Sequence, residues 1–196
     1  MEWVIYIGIF SSVFLVIYYL VVFGRLLLYR VPRGLTSFDK PVTILVCAHN
    51  EAENLRKNLP YLLTQYYEND FEVLVINDHS TDGTAEVLNE LCLPYKKLRS
   101  IDFTEEKKFK GKKEALSFGL SHARYGHILL TDADCQPASK DWLNLMSGSF
   151  DTREVVLGYG GYLRESGFTN KLVRWETLQT AIQYMSLALI GRPYMG

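Results

Sequence analysis

Three short apolar runs, each breaking off in a polar cluster, constrain this chain more than any other feature. Val42-Thr-Ile-Leu-Val46 leads into Ala48-His-Asn50-Glu51, Phe71-Glu-Val-Leu-Val-Ile76 into Asn77-Asp78, and His127-Ile-Leu-Leu-Thr131 into Asp132-Ala-Asp134. Runs of this length, rich in Val, Ile and Leu, read as buried strands. Helical spacing fills the gaps between them. Leu55, Leu59, Leu62, Leu63 and Tyr66 form an apolar stripe that reads as core packing, and Pro60 predicts a kink or a fresh first turn. Further helices are expected over Thr84 to Leu91 and over Gly111 to Ala123, where Ala115, Leu116 and Leu120 share a face, with a weaker strand near Lys97 to Ile101. Strands alternating with helices indicate an α/β domain with a largely parallel sheet. In open sheets of this kind ligands lie outside the carboxyl ends of the strands, where the polar clusters would converge.

The third cluster carries the most chemistry. On an extended backbone residues i and i+2 point the same way, so Asp132 and Asp134 are expected to face one target. Two carboxylates at the end of a buried strand suit a hard divalent cation, which commonly bridges to phosphate oxygens. The loop lacks the glycine and the twelfth-position glutamate of an EF hand. The charge run Glu105-Glu-Lys-Lys-Phe-Lys110-Gly-Lys112-Lys113-Glu114 opens a helix, where free N–H groups and lysines favour anions. It does not have P-loop spacing, and Lys112 is its candidate diphosphate contact. Asn77-Asp78-His-Ser80-Thr-Asp82-Gly-Thr84 reads as a strand-to-helix turn with capping residues. Its functional reading makes Asp78 an acceptor for a base or ribose donor.

The N-terminus differs from the rest. Trp3 to Gly24 holds no charged residue, and a helix of that length rises roughly 33 Å, enough for a hydrocarbon core of about 30 Å. A signal peptide is disfavoured because no Ala precedes Ala48 to make a cleavage site. A helix apolar on all sides rarely sits in the core of so small a domain. Glu2 flanks one end and Arg25, Arg30 and Arg33 the other, so the positive-inside rule places the body of the protein in the cytoplasm. Residues 1–30 are therefore expected to form a single membrane anchor, 31–41 a Pro/Gly linker and 42–196 the functional domain. Helical Lys171 to Ile190 carries Leu172, Trp175, Leu178, Ile182 and Met185 as an amphipathic stripe that would pack on the sheet or lie at the membrane, with core packing the preferred reading.

A formal net charge of −1 argues against a nucleic-acid partner held by a broad basic field. Cys47, Cys92 and Cys135 are odd in number, show no CxxC pairing and have no zinc-ligand spacing with the histidines. They fit a reducing compartment.

Taken in order, these segments resemble the family 2 glycosyltransferases of GT-A fold. Ala48-His-Asn-Glu-Ala-Glu-Asn-Leu55 is similar to the family's opening segment after its first strand. Val75-Ile-Asn-Asp78-His-Ser-Thr-Asp82-Gly-Thr84 is similar to its Asp-Asp-x-Ser-x-Asp-x-Thr turn, with Asn77 for the first Asp. Gly111-Lys112-Lys-Glu-Ala115-Leu-Ser117 looks like Gly-Lys-x-x-Ala-Leu-Asn, and Asp132-Ala-Asp134 matches D-x-D. The resemblance implies a nucleotide-sugar donor, most often a uridine diphosphate sugar, a Mg²⁺ or Mn²⁺ ion, and a glycan or lipid-linked acceptor. It implies Ala48, Asn50, Glu51, Asp78, Lys112 and Asp132 around the donor, with Asp78 at the base, Asp132 at the ribose or metal and Asp134 as direct metal ligand. Transfer would then proceed by displacement with inversion. The family's acidic base follows D-x-D at a distance, and neither it nor a Gln-x-x-Arg-Trp motif occurs before Gly196; the base is expected beyond that residue. Two other readings stand beside this one. A nucleotidyltransferase of similar fold would carry a Gly-rich basic loop where Ala48-His-Asn-Glu51 is acidic. A metal-dependent adhesion domain would use Asp78-His-Ser80-Thr-Asp82 but needs an extracellular orientation.

Overall fold

The computed structural model describes residues 2–30, 38–106 and 111–192. Most of the expected linker with Arg33, the centre of the charge run at 107–110, and residues 193–196 lie outside the described residues. In chain order the elements are α1 (Glu2–Leu28), β1 (Val42–Ala48), α2 (Ala52–Leu63), β2 (Phe71–Asp78), α3 (Thr84–Cys92), β3 (Leu98–Phe103), α4 (Lys113–His122), β4 (His127–Asp132), α5 (Trp142–Ser147) and α6 (Phe168–Leu189). The chain divides into two units, Gly34–Gly158, and Met1–Arg33 together with Tyr159–Gly196.

The larger unit is a parallel sheet in the order β3-β2-β1-β4 with helices on both faces. Its central strands are buried at nearly every position because both of their faces are covered, and their middle residues are accordingly Val, Ile and Leu. Period-two alternation divides the side chains between two cores. Ile44, Val46, Val73 and Val75 meet Leu55, Leu59 and Leu62 of α2, Val87 and Leu88 of α3, and Leu143 of α5. Leu45, Leu74 and Ile76 meet Ala115 of α4 on the opposite face. The chain runs from β1 outward to β3 and then returns to lay β4 on the other side of β1. That reversal opens a crevice between the carboxyl ends of β1 and β4. The register sets the strand ends level: Cys47 stands opposite Asp132, and Ala48 opposite Asn77.

Several local expectations change. α2 continues through Pro60 for a further turn, and its stripe ends at Leu63. The missing Pro60 N–H falls close to the C-terminus, where little helix remains to be disrupted. Tyr66 lies beyond that end, exposed, with the Lys140 ammonium 5.2 Å from its ring centroid. On α4 the packed positions are Ala115 and Gly119, while Leu120 is 46% exposed. A Cβ on Gly119 would lie 2.7 Å from Leu45 Cδ1 and 2.9 Å from Ile76 Cγ1, so hydrogen at this position lets α4 sit close to the sheet. β4 pairs only with β1 among the described residues, and Leu130 is 53% exposed, so this strand is an edge and not a fully buried run.

At the amino ends of the strands, Glu72 is buried and ties three segments together. It accepts hydrogen bonds from Thr43 Oγ1 of β1 at 2.8 Å, Arg99 Nη1 of β3 at 2.7 Å, and the Arg124 backbone N–H after α4 at 2.6 Å. Burial pushes this carboxyl up, but those three donors outweigh it and hold its pKa below the ordinary value.

In the smaller unit α1 and α6 are in contact. α1 is long and apolar enough to cross a bilayer, with mean hydropathy 2.3 over its most apolar window, and none of that window is buried. A soluble core helix would be covered. α6 does not bury its expected stripe: Leu172, Trp175 and Leu178 are exposed, Trp175 by 61%, while the small residues Ala181 and Ser186 are the buried ones.

Candidate functional site

Two loops at the carboxyl edge are laced to each other by backbone-to-side-chain bonds. Asn50, after β1, takes φ of 57°, a left-handed conformation that Asn tolerates better than most residues. Its backbone N–H donates to Ser80 Oγ at 3.0 Å, and its Oδ1 accepts from the Thr81 N–H at 2.8 Å. Glu51 N–H donates to Thr84 Oγ1 at 3.0 Å, and Ala52 N–H to Asp82 Oδ2 at 3.1 Å. Asp82 Oδ1 also accepts from the Thr84 N–H and hydroxyl, at 3.1 and 2.6 Å. One carboxylate thereby satisfies free donors at the starts of both α2 and α3. Its hydrogen bond from the Thr84 hydroxyl, with the backbone N–H groups, holds its pKa below the ordinary range. The capping reading of the Asn77–Thr84 turn is correct for Asp82, and Asn50 serves as the tie between the loops.

The cleft beside this lacing has a volume of about 250 Å³ and is lined by Cys47, Ala48, His49, Glu51, Asp78, Lys112, Asp132, Ala133 and Asp134. Six of the expected positions, Ala48, Glu51, Asp78, Lys112, Asp132 and Asp134, are brought together there, while Asn50 is absent from the lining. Asp78 is buried at the end of β2, with its Oδ1 3.0 Å from His79 Nδ1. Glu51 Oε2 accepts from Asn54 Nδ2 at 2.6 Å. Lys112 stands at the N-cap of α4, after Gly111 at φ 103°, and its ammonium donates to Asp132 Oδ1 at 2.5 Å. That bond and the charges of Asp132 and Asp134 hold the ammonium above its ordinary pKa, so it is cationic at neutral pH.

The two aspartates converge, but not as an extended strand would arrange them. β4 ends at Asp132, and Ala133 and Asp134 form a turn closed by the Cys135 N–H on the Asp132 carbonyl at 3.1 Å. The turn is held from α2, where buried Asn58 donates its amide to the Ala133 carbonyl at 3.0 Å. Asp132, Asp134 and Cys135 offer ligand atoms within 4.8 Å of one another. Desolvation and the Asp134 carboxylate push the Cys135 thiol above its ordinary pKa, leaving it protonated at neutral pH. The oxygen donors of this group are two carboxylates, and an oxygen donor set fits Mg²⁺ or Mn²⁺.

His49, Cys47 and Asn58 complete the arrangement and were not legible as site residues. His49 follows β1 and places Nδ1 2.5 Å from the Asp78 carbonyl oxygen. Asn58 has only one sequence signal, an amide inside an otherwise apolar helical stripe.

Residues 43–191 match the family described as glycosyl transferase family 2. The chain is 27% identical over 147 residues to the probable glycosyltransferase YdaM of Bacillus subtilis, covering 74% of this chain and 35% of that protein. It is 30% identical over 140 residues to the poly-β-1,6-N-acetyl-D-glucosamine synthase of Staphylococcus epidermidis, covering 68% of this chain and 32% of that protein. Among solved structures, it is similar to the mannosyltransferase PcManGT from Pyrobaculum calidifontis in complex with GDP-Man and Mn²⁺. The TM-score is 0.57 at 29% identity, over 68% of this chain and 39% of that one. The chain thus spans 35% and 32% of the lengths of these two curated relatives.

Proposed function

The chain belongs to glycosyl transferase family 2, and from that premise we propose that its cleft holds a nucleoside diphosphate sugar, of the uridine type, for metal-dependent transfer with inversion to a glycan or lipid-linked acceptor. The observation that carries this reading is the meeting of Asp78, Lys112, Asp132 and Asp134 in one cleft at the carboxyl edge of a parallel sheet. A nucleotidyltransferase reading lacks a basic loop after β1, where Glu51 instead lines the cleft.

In this proposal Asp78 accepts a hydrogen bond from the base, from a position already fixed by burial. Asp132 meets the ribose or the cation, and Asp134 is the direct cation ligand. A bound Mg²⁺ or Mn²⁺ supplies Lewis-acid neutralisation of the departing diphosphate. Lys112 adds a second positive charge, at the start of a helix whose free N–H groups favour anions. Asn58 keeps the Asp132–Asp134 turn in place. α1 is proposed as a bilayer-spanning anchor, with Arg25, Arg30 and Arg33 on the cytoplasmic side and the cleft in the cytoplasm.

The test is calorimetric titration of the full chain in detergent with UDP and, separately, GDP, with Mn²⁺ and with EDTA. Mn²⁺-dependent binding of UDP is expected. Asp134→Ala should weaken it by about tenfold or more, since even outer-shell changes at metal sites cost on that order. Binding of neither nucleotide, together with no effect of Asp134→Ala, would remove the proposal. Preference for GDP would replace the uridine assignment.

A further inference from the structure

The Lys112–Asp132 pair bears on how the cleft is loaded. The Lys112 ammonium lies 2.5 Å from Asp132 Oδ1, on one of the two carboxylates that a cation would use. An ammonium and a divalent cation seek the same oxygen lone pairs. Both side chains are more than half exposed, at 62% and 57%, so the pair is easily broken. Lysine also carries its charge on a flexible four-carbon stem as a point charge, which suits it to changing partners. Its backbone anchor at the N-cap of α4 need not move for the ammonium to turn from the carboxylate toward a neighbouring anion.

We propose that Lys112 is the resting counter-ion of the carboxylate pair, seated on Asp132 until cation and donor bind together and then transferring to the donor diphosphate. The proposal rests on the donor-site reading above and adds to it a rule for the order of affinities. With no diphosphate present, a cation must compete with Lys112, and the displaced ammonium gains only water. With a diphosphate present, the displaced ammonium gains a new anionic partner. Lys112 thus weakens binding of the bare cation and strengthens binding of the cation with diphosphate. By linkage the cation raises nucleotide affinity by the same factor as nucleotide raises cation affinity.

The experiment measures free Mn²⁺ by electron paramagnetic resonance during titration of the full chain in detergent, alone and with saturating UDP or GDP. Wild type, Lys112→Met and Lys113→Met are compared, with circular dichroism confirming that each is folded. Lys113 is exposed and outside the cleft lining, so it reports the effect of removing one nearby positive charge without removing the Asp132 partner. Lys112→Met should bind Mn²⁺ alone about fivefold more tightly, near the upper end of what an exposed ion pair is worth. The same variant should bind Mn²⁺ less tightly than wild type when nucleotide is present, and the enhancement of Mn²⁺ binding by nucleotide should shrink. Lys113→Met should leave both values within about twofold, as expected for a screened surface charge. Unchanged or weaker binding of Mn²⁺ alone by Lys112→Met overturns the counter-ion role while leaving the donor site intact. An equal gain in Lys113→Met also overturns it, because a general field would then account for the change. Wild type binding neither Mn²⁺ nor nucleotide overturns the donor-site reading and this proposal with it.

Discussion

The side-chain amide of Asn58, buried within α2, donates to the Ala133 carbonyl at 3.0 Å and so holds the turn between Asp132 and Asp134 from a neighbouring helix. A residue with no chemistry of its own thereby decides where two carboxylates sit. Replacing Asn58 by Ala leaves a buried carbonyl without its donor, at a cost of about 1–3 kcal/mol. Asn58→Ala is expected to lower unfolding free energy by that amount in denaturant titration. It should also weaken Mn²⁺-dependent nucleotide binding although it touches neither ligand. Loss of stability with unaltered nucleotide affinity would show that the turn keeps its shape without Asn58.

Glu72 gives an acid-side signature remote from the cleft. Its folded pKa is held below the ordinary 4.5 by the Arg124 N–H, Arg99 and Thr43 against the opposing effect of burial. A carboxyl whose pKa is depressed on folding stabilises the protein fully above the unfolded value, and that contribution disappears as pH falls through the folded one. Stability should therefore drop as pH is lowered below about 4.5. Glu72→Gln should flatten that drop and destabilise the protein at neutral pH by about 1–3 kcal/mol, because a neutral amide replaces the anion that accepts from Thr43, Arg99 and the Arg124 N–H. Urea unfolding of both proteins across the acid range checks the sign. An unchanged acid slope in Glu72→Gln would assign it to other carboxylates.

Gly119 sets how closely α4 approaches the sheet. Gly→Ala in a helix ordinarily gains up to about 1 kcal/mol, but the added Cβ would lie 2.7 Å from Leu45 Cδ1 in a filled core. Overpacking of that kind costs about 1–3 kcal/mol. The steric effect wins, and Gly119→Ala is expected to be net destabilising by about 1 kcal/mol, with Gly119→Val worse. Denaturant midpoints of the two variants decide it; a stabilised Gly119→Ala would mean that Leu45 can move aside.

α1 should keep the chain with membranes after alkaline carbonate extraction. A lysine near the centre of an inserted helix costs about 2.5–3.5 kcal/mol, so Val13→Lys combined with Phe14→Lys should move most of the protein into the soluble fraction. Protease added outside intact cells should leave the body of the chain uncut. Cleavage there would reverse the proposed orientation.

Sequence by itself determined the α/β class, because short runs rich in Val, Ile and Leu alternate with stretches of helical spacing. It also determined which residues carry charge at the strand ends, and the order of the segments that resemble the family. Periodicity misled at the margins. Leu120 and Trp175 fit helical stripes yet are exposed, since a period fixes a face but not whether anything lies against it. Alternation predicted that Asp132 and Asp134 converge, but the chain reaches that result through a turn after β4.

Tertiary structure alone decided the remaining relationships. Strand order places β4 beside β1, and parallel register levels Cys47 with Asp132, which brings carboxylates distant in sequence to one cleft. Asn50, Asp82 and Asn58 became positioning residues only once their loops and helices had been brought within hydrogen-bond range. The physical reason is range. Propensity and periodicity act over a few residues, whereas a hydrogen bond between Asn58 and Ala133 exists only after the sheet has formed.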